Sequence, residues 1–195
     1  ENWLADEVTM TFQEQENDAF INGNGVTRPR GLLTETMIAN ASYAWGKIGF
    51  TVSGAAADFA ATNPSDKLID VVHSLKRGYR SNATWLMSDL TLAAIRKFKS
   101  GQGDYLWQPG LQQGQVGVLM GYPVVTDDNM PAVGAGNFPI AFGDFKRGYL
   151  IVDRVGISIL RDPFSAKPHI LFDTRKRVGG GVQNFEAIKV LKISA

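Results

Sequence analysis

The sequence predicts an α+β fold. Helical periodicity dominates the first half, and short strand-like runs bounded by glycine, proline and aspartate fill the second. Strands and helices do not alternate regularly, so a doubly wound parallel sheet is not expected. The composition, 44% hydrophobic and 20% charged over 195 residues, is that of a chain able to bury one core or two small ones. No apolar run approaches the roughly 18 residues of a membrane span, so no membrane partner is expected.

Taken in order, residues 2–21 place Leu4, Val8, Phe12 and Ala19 on one helical stripe, with acids and glutamines elsewhere. The "NGNG" of residues 22–25 ends that helix. "VTRPRGLLTE" reads as extended or turn-like, because the residue before Pro29 is pushed out of helical space. A short strand is expected near 47–53, then a loop of small residues. Asn63, Pro64, Ser65 and Asp66 start a second helix carrying Leu68, Val71, Val72, Leu75 and Tyr79, which ends near Gly78 and Asn82.

"ATWLMS" at 83–88 reads as a buried strand, and Ser88 or Asp89 caps a third helix bearing Leu92, Ile95 and Phe98. Gly101 suits its C-terminal cap. Strands follow at 123–126, 138–142, 148–153, 156–160, 169–174 and 184–193. The glycine triplet 179–181 is a candidate hinge or bulge.

The net charge of +1 conceals an asymmetry. Residues 1–22 carry six carboxylates and no lysine or arginine, whereas residues 161–195 carry seven basic side chains against three acidic ones. The two ends are either separate solvated faces or complementary surfaces that steer assembly. Neither is the broad basic stripe of a nucleic-acid reader.

Catalytic and metal chemistry find little support. His73 and His169 are the only histidines, and there is no cysteine, which excludes disulfides and thiolate chemistry and argues against a nitrogen- or sulfur-rich metal site. His73 reads as a helix-surface residue. Asp127 and Asp128 read as a solvated turn rather than cation ligands, and no G-x-S-x-G elbow is present. The loop "GQGDYLWQPG" lacks the G-x-x-x-x-G-K-[ST] pattern and follows a helix instead of entering one, so it is no phosphate cradle. It offers Tyr105, Leu106 and Trp107, which either fold back on their own lobe or meet another protein. No catalytic residue, cofactor or metal is expected.

The ordered set "NATWLMSDLTLAAIRKFKSGQGDYLWQPG", "LMGYPVVTDDNMP", "IAFGDFKRGYLIVDRVGISILRDPF" and "FDTRKRVGGGVQNFEAIKVLKI" resembles the major capsid proteins of tailed bacteriophages and prophages. "FQEQENDAFINGNGVTRPRGLL" is similar to that family's long spine helix and the segment after it. The resemblance implies a peripheral lobe of the spine helix and a long antiparallel sheet, from residues 1–60 and 161–195. It implies an axial lobe of mixed sheet and flanking helices from residues 61–160.

The implied function is structural: self-assembly into the pentamers and hexamers of an icosahedral shell around double-stranded DNA, held without sequence specificity. Scaffold, protease and portal proteins would be partners, and the location would be the virion, assembled in the bacterial host cytoplasm. Contact residues implied are Tyr105, Trp107 and Gln112 around the capsomer centre, with Glu14, Arg175 and Arg177 in the peripheral lobe. The family's N-terminal arm and extended loop have no counterpart here, and an upstream segment removed or left out is expected. A Lys–Asn crosslink is not expected, because "AKPHILFDTRKR" has no asparagine. The alternatives are the shell of an encapsulin nanocompartment and, as an outsider, a small α+β hydrolase.

Overall fold

The computed structural model describes residues 2–99, 103–106, 117–162, 164–165 and 170–195. In chain order its first elements are helix α1 (Asn2–Asn22), strands β1 (Met37–Ala39) and β2 (Ile48–Val52), and helices α2 (Pro64–Ser74) and α3 (Arg77–Arg80). Then come β3 (Thr84–Met87), α4 (Asp89–Arg96), β4 (Val118–Leu119), β5 (Tyr122–Thr126), β6 (Ile140–Gly143) and the one-turn helix α5 (Phe145–Gly148). Strands β7 (Tyr149–Asp162), β8 (Leu171–Val182) and β9 (Ile188–Lys192) complete the set. Contacts divide the chain into a ribbon unit, Glu1–Thr34 with Leu150–Gly181, and a sheet unit, Glu35–Tyr149 with Val182–Ala195.

The sheet unit is built on seven strands in the order β1-β2-β9-β6-β3-β5-β4. The sheet is mixed: β1, β2 and β9 run parallel, β6 is antiparallel to both β9 and β3, and β5 is parallel to β3. Every residue of β6 is buried, as are Ile188, Lys189, Val190 and Leu191 of β9. That continuous burial is the signature of central strands covered on both faces. The core joins Trp85, Met87, Ile140, Phe142 and Leu191 to Leu68, Val71 and Leu75 of the α2 segment and Ile95 of α4.

Local chemistry explains the boundaries. Asn63 sits in left-handed space (φ 48°) ahead of Pro64, whose ring fits the first helical turn. The helix expected to reach Tyr79 stops at Ser74, because Leu75 adopts extended geometry. The Arg80 guanidinium then donates to the carbonyls of His73 (2.8 Å) and Leu75 (2.7 Å), satisfying groups the helix end leaves open. Ser88 caps α4 as expected: its Oγ accepts from the Thr91 amide at 3.3 Å and shares a 2.9 Å bond with the Thr91 hydroxyl. Ser88→Ala is expected to cost about 1 kcal/mol in urea denaturation, a typical cap value; an unchanged midpoint would show that Thr91 caps unaided.

The ribbon unit consists of α1, the segment that follows it, and the long strands β7 and β8. Ser158 Oγ reaches the Arg175 carbonyl, and the Val152 carbonyl faces Gly179, so the two strands run antiparallel. The expected strands 148–153 and 156–160 are one strand, uninterrupted by Gly156. The triplet 179–181 likewise continues β8, and the Gly180 carbonyl accepts from the Arg30 amide at 2.9 Å. After α1, the Gly23 amide donates to Ala19 and the Gly31 amide to the Gly23 carbonyl, with Ala19, Ile21 and Leu32 buried nearby.

These units differ in extent from the division expected at 60/61 and 160/161. Residues 35–60 and 182–195 join the sheet unit because β2 and β9 hydrogen-bond to each other and β9 to β6. Residues 150–160 belong to the ribbon because β7 pairs with β8.

Candidate assembly surface

The charge asymmetry of the sequence is resolved partly inside the ribbon unit. Lys176 of β8 meets Glu16 of α1 at 2.5 Å, with both side chains mostly covered, and Asp153 of β7 lies 3.9 Å away. The bond to Glu16 holds the Lys176 ammonium above its usual range. Arg28 pairs with Asp18 at 2.8 Å. Arg175 is occupied by Asp173 of its own strand at 2.6 Å.

Beside these pairs lies a cleft of about 690 Å³ between α1, the 27–29 turn and the two strands. Phe12, Val152 and Val178 supply its apolar walls, and Arg154 and Arg177 its charge. Arg154 was not singled out by the sequence; its only signal was its place in a strand that otherwise reads as apolar. The ribbon also leaves large side chains in solvent, including Ile157, Ile159, Leu160 and Phe172, each at least 41% exposed. Large apolar side chains exposed along one ribbon are the kind of surface that a protein contact would cover.

Of the sequence-derived contact residues, Glu14 is exposed on α1 and Arg177 lines the cleft, whereas Arg175 is paired away from it. Tyr105 belongs to the sheet unit, bridged to Lys99 and half exposed, with the Lys99 ammonium 5.0 Å from its ring centre. Trp107 and Gln112 lie outside the described residues, as do Gly101 and His169. His73 is exposed on α2. Asp127 accepts from the amide and side chain of Asn129, both at 2.9 Å, as a turn residue does. No metal-binding group of histidines and carboxylates occurs among the described residues.

One titratable group in the sheet unit stands apart. Lys189 of β9 is 6% exposed, its ammonium lies 4.0 Å above the Tyr43 ring, and no carboxylate pairs with it among the described residues. Glu186 is engaged with Lys76 at 2.7 Å. Burial pushes the Lys189 amine below its usual value of 10.5, with Glu186 opposing and Lys76 reinforcing that shift. The unfolded chain therefore holds this proton at pH values where the folded chain has lost it, and stability rises with pH toward 10.5. Lys189→Met is expected to flatten that slope in the pH range below 10.5 and to stabilise the fold at neutral pH, read by urea denaturation as a function of pH. Tyr149 acts oppositely: burial, aided by the charge of Glu35, pushes its phenol up to about 12, so its contribution is lost as pH rises above 10. Parallel stability-versus-pH curves for variant and wild type would refute the assignment to Lys189.

The sequence matches the model of the phage capsid family over residues 1–193. The chain belongs to the phage capsid family. No curated protein matches it. Among solved structures, the capsids of the empty and the native GTA particle, both computed with C5 symmetry, are each 48% identical to it, with a TM-score of 0.94. This chain is covered completely and spans 66% and 65% of those chains. More distant is Gordonia phage Cozz, at 13% identity and TM-score 0.61, covering all of this chain and 63% of the other. The SrpI encapsulin complex of Synechococcus elongatus is 16% identical at TM-score 0.59, over 96% of this chain and 64% of the other. The phage capsid fold is thus the fold of this chain.

Capsid-family membership and fold point to a structural protein. The motifs that carried the resemblance have structural explanations of the same kind. In Leu-x-Gly-x-Pro-Val, Met120 (φ 52°) and Gly121 (φ 84°) form the two-residue turn between β4 and β5. In Trp-x-Met-Ser, the Trp85 indole donates to the Leu119 carbonyl at 3.0 Å and Ser88 is the α4 cap. In Gly-Asp-Phe, Asp144 caps α5 by accepting from the Arg147 amide.

Proposed function

We propose that this chain is the shell-forming part of a major capsid protein of a tailed phage or prophage. It self-assembles into pentamers and hexamers of an icosahedral shell around double-stranded DNA. The observation that carries this reading is 48% identity along the whole chain to the capsids of GTA particles, computed with C5 symmetry. The ribbon unit is the peripheral lobe and the sheet unit the axial lobe, with the Tyr105 loop directed toward the capsomer centre. Tyr105, Trp107 and Gln112 serve there as contacts, and Glu14, Arg175 and Arg177 in the peripheral lobe. The protein is structural and not catalytic, and it resides in the virion after assembly in the host cytoplasm. Scaffold, protease and portal proteins act with it.

Electron microscopy of the complete reading frame expressed in bacteria, with nuclease treatment before disruption, tests this reading. Closed shells or capsomer rings are the expected result. A chain that stays monomeric across concentration, with or without scaffold, would end it. Shells filled with a cargo enzyme instead of protected DNA would favour the encapsulin alternative, which at present rests on a shared fold at 16% identity.

A further inference from the structure

Charge pairing inside the ribbon unit is incomplete in a specific way. Glu16 and Asp18 of α1 are matched by Lys176 and Arg28. Asp6, Glu7 and Glu14 of the same helix are exposed, with no ion pair among the described residues. On the opposite side of the ledger, Arg154 and Arg177 line the cleft without an ion-pair partner among the described residues. The early turns of α1 also expose Trp3 (74%) and Met10 (58%), both large and apolar, next to the surplus acids. The cleft has the counterparts of both features, in its arginines and in the walls formed by Phe12, Val152 and Val178.

The two surfaces cannot meet within one molecule. The helical wall of the cleft is made by residues 12–19 of α1 itself. At 1.5 Å per residue, Asp6 and Glu7 lie about 8–20 Å along the axis from that wall, on a continuous helix that cannot fold back on itself. A contact between these acids and the cleft arginines would therefore be made between molecules.

We propose that the cleft seats the first turns of α1 from a second copy of this chain, with Asp6 and Glu7 on Arg154 and Arg177 and Trp3 and Met10 against the apolar walls. The proposal rests on the self-assembly reading given above. Donor and acceptor are different patches, so the contact is heterologous and runs head to tail, the arrangement that closes a ring when the rotation permits. A tryptophan and an arginine at the centre of a covered patch are also the residue types that dominate interface energetics.

The test uses the complete reading frame and has two arms. Arg154→Glu with Arg177→Glu, and separately Asp6→Arg with Glu7→Arg, should each abolish the rings or shells that wild type forms; all four changes together should restore them. In the second arm, these 195 residues hold no cysteine, and any cysteine elsewhere in the reading frame is first replaced by serine so that crosslinking is site-specific. Met10→Cys and Val178→Cys chains, mixed under oxidising conditions, should give a mixed disulfide dimer that neither gives alone, and the double variant a ladder. If wild type assembles while the charge variants assemble equally well and no mixed dimer forms, the proposed contact is wrong and the capsid function stands. If charge-reversed chains fail without rescue, the mixed dimer decides: its presence supports the contact and its absence overturns it. If wild type never assembles, both readings fall.

Discussion

Trp85→Ala destabilises the sheet unit by about 3–5 kcal/mol, the cost of deleting a large buried aromatic and leaving its cavity. The indole is completely buried in β3, its ring 4.4 Å from that of Phe142 in the neighbouring β6, and Tyr122 meets Phe142 edge-on at 5.0 Å. The same side chain donates to the Leu119 carbonyl, the strand residue just before the β4–β5 turn. Losing it removes apolar contact and orphans a carbonyl of a buried residue, two costs with different origins. Trp85→Phe separates them: it retains most of the packing and loses the hydrogen bond, so it should cost about 1–2 kcal/mol. Chemical denaturation followed by circular dichroism reads both values. Equal losses for the two variants would mean that the hydrogen bond, not the ring, sustains the β3–β4–β5 region.

Gly143→Ala destabilises by about 3 kcal/mol, at the upper end for overpacking a core, although it adds a single methyl group. A Cβ at this position would stand 2.1 Å from the Ala187 carbonyl oxygen and 2.8 Å from the Ile188 Cα. Both are backbone atoms beside the β6–β9 ladder, where Gly143 is in register with Ile188. Neither can rotate away as a side chain would, so strands must separate. Gly156→Ala is the control: that glycine lies in β7, has ordinary backbone geometry and has nothing near the added methyl. Its stability should be unchanged within about 0.5 kcal/mol. Comparable losses at both sites would mean that strand propensity, not the carbonyl contact, sets the cost.

Much of the sheet unit was legible because its residues obey local rules. Asn63-Pro64, the Ser88 cap and the strand around Trp85 each announce themselves within a few positions. Parallel pairing of β2 with β9 did not, since the partners are separated by more than a hundred residues and no short-range pattern encodes the match. The extent of the two compact units was hidden for the same reason. "AIKVLKI" reads as a strand in any context, and only its neighbours reveal that it belongs to the sheet centre. The break at Leu75 was hidden because an apolar residue at helical spacing serves equally well just beyond a helix end.

In the ribbon unit the opposite charges of the chain's two ends were visible as composition. Which acid meets which base depends on α1 lying against β8, so Glu16–Lys176 could not be read from spacing. The family resemblance supplied what periodicity could not, namely the expectation of contact surfaces in place of acid–base pairs. Its motif residues turn out to be caps, turns and close approaches, which is what preserving a shape requires.

The position of β9 has a consequence for the order of events during synthesis. It follows β2 by more than a hundred residues in the chain, yet it fills the gap between β2 and β6, with Ile188, Val190 and Leu191 fully buried. Until it arrives, β2 and β6 each present an open edge, and the helices packed against them have an unfinished floor. A nascent chain is thus denied its finished sheet until residues 188–192 have been made, and the non-local closure is a slow kind of step.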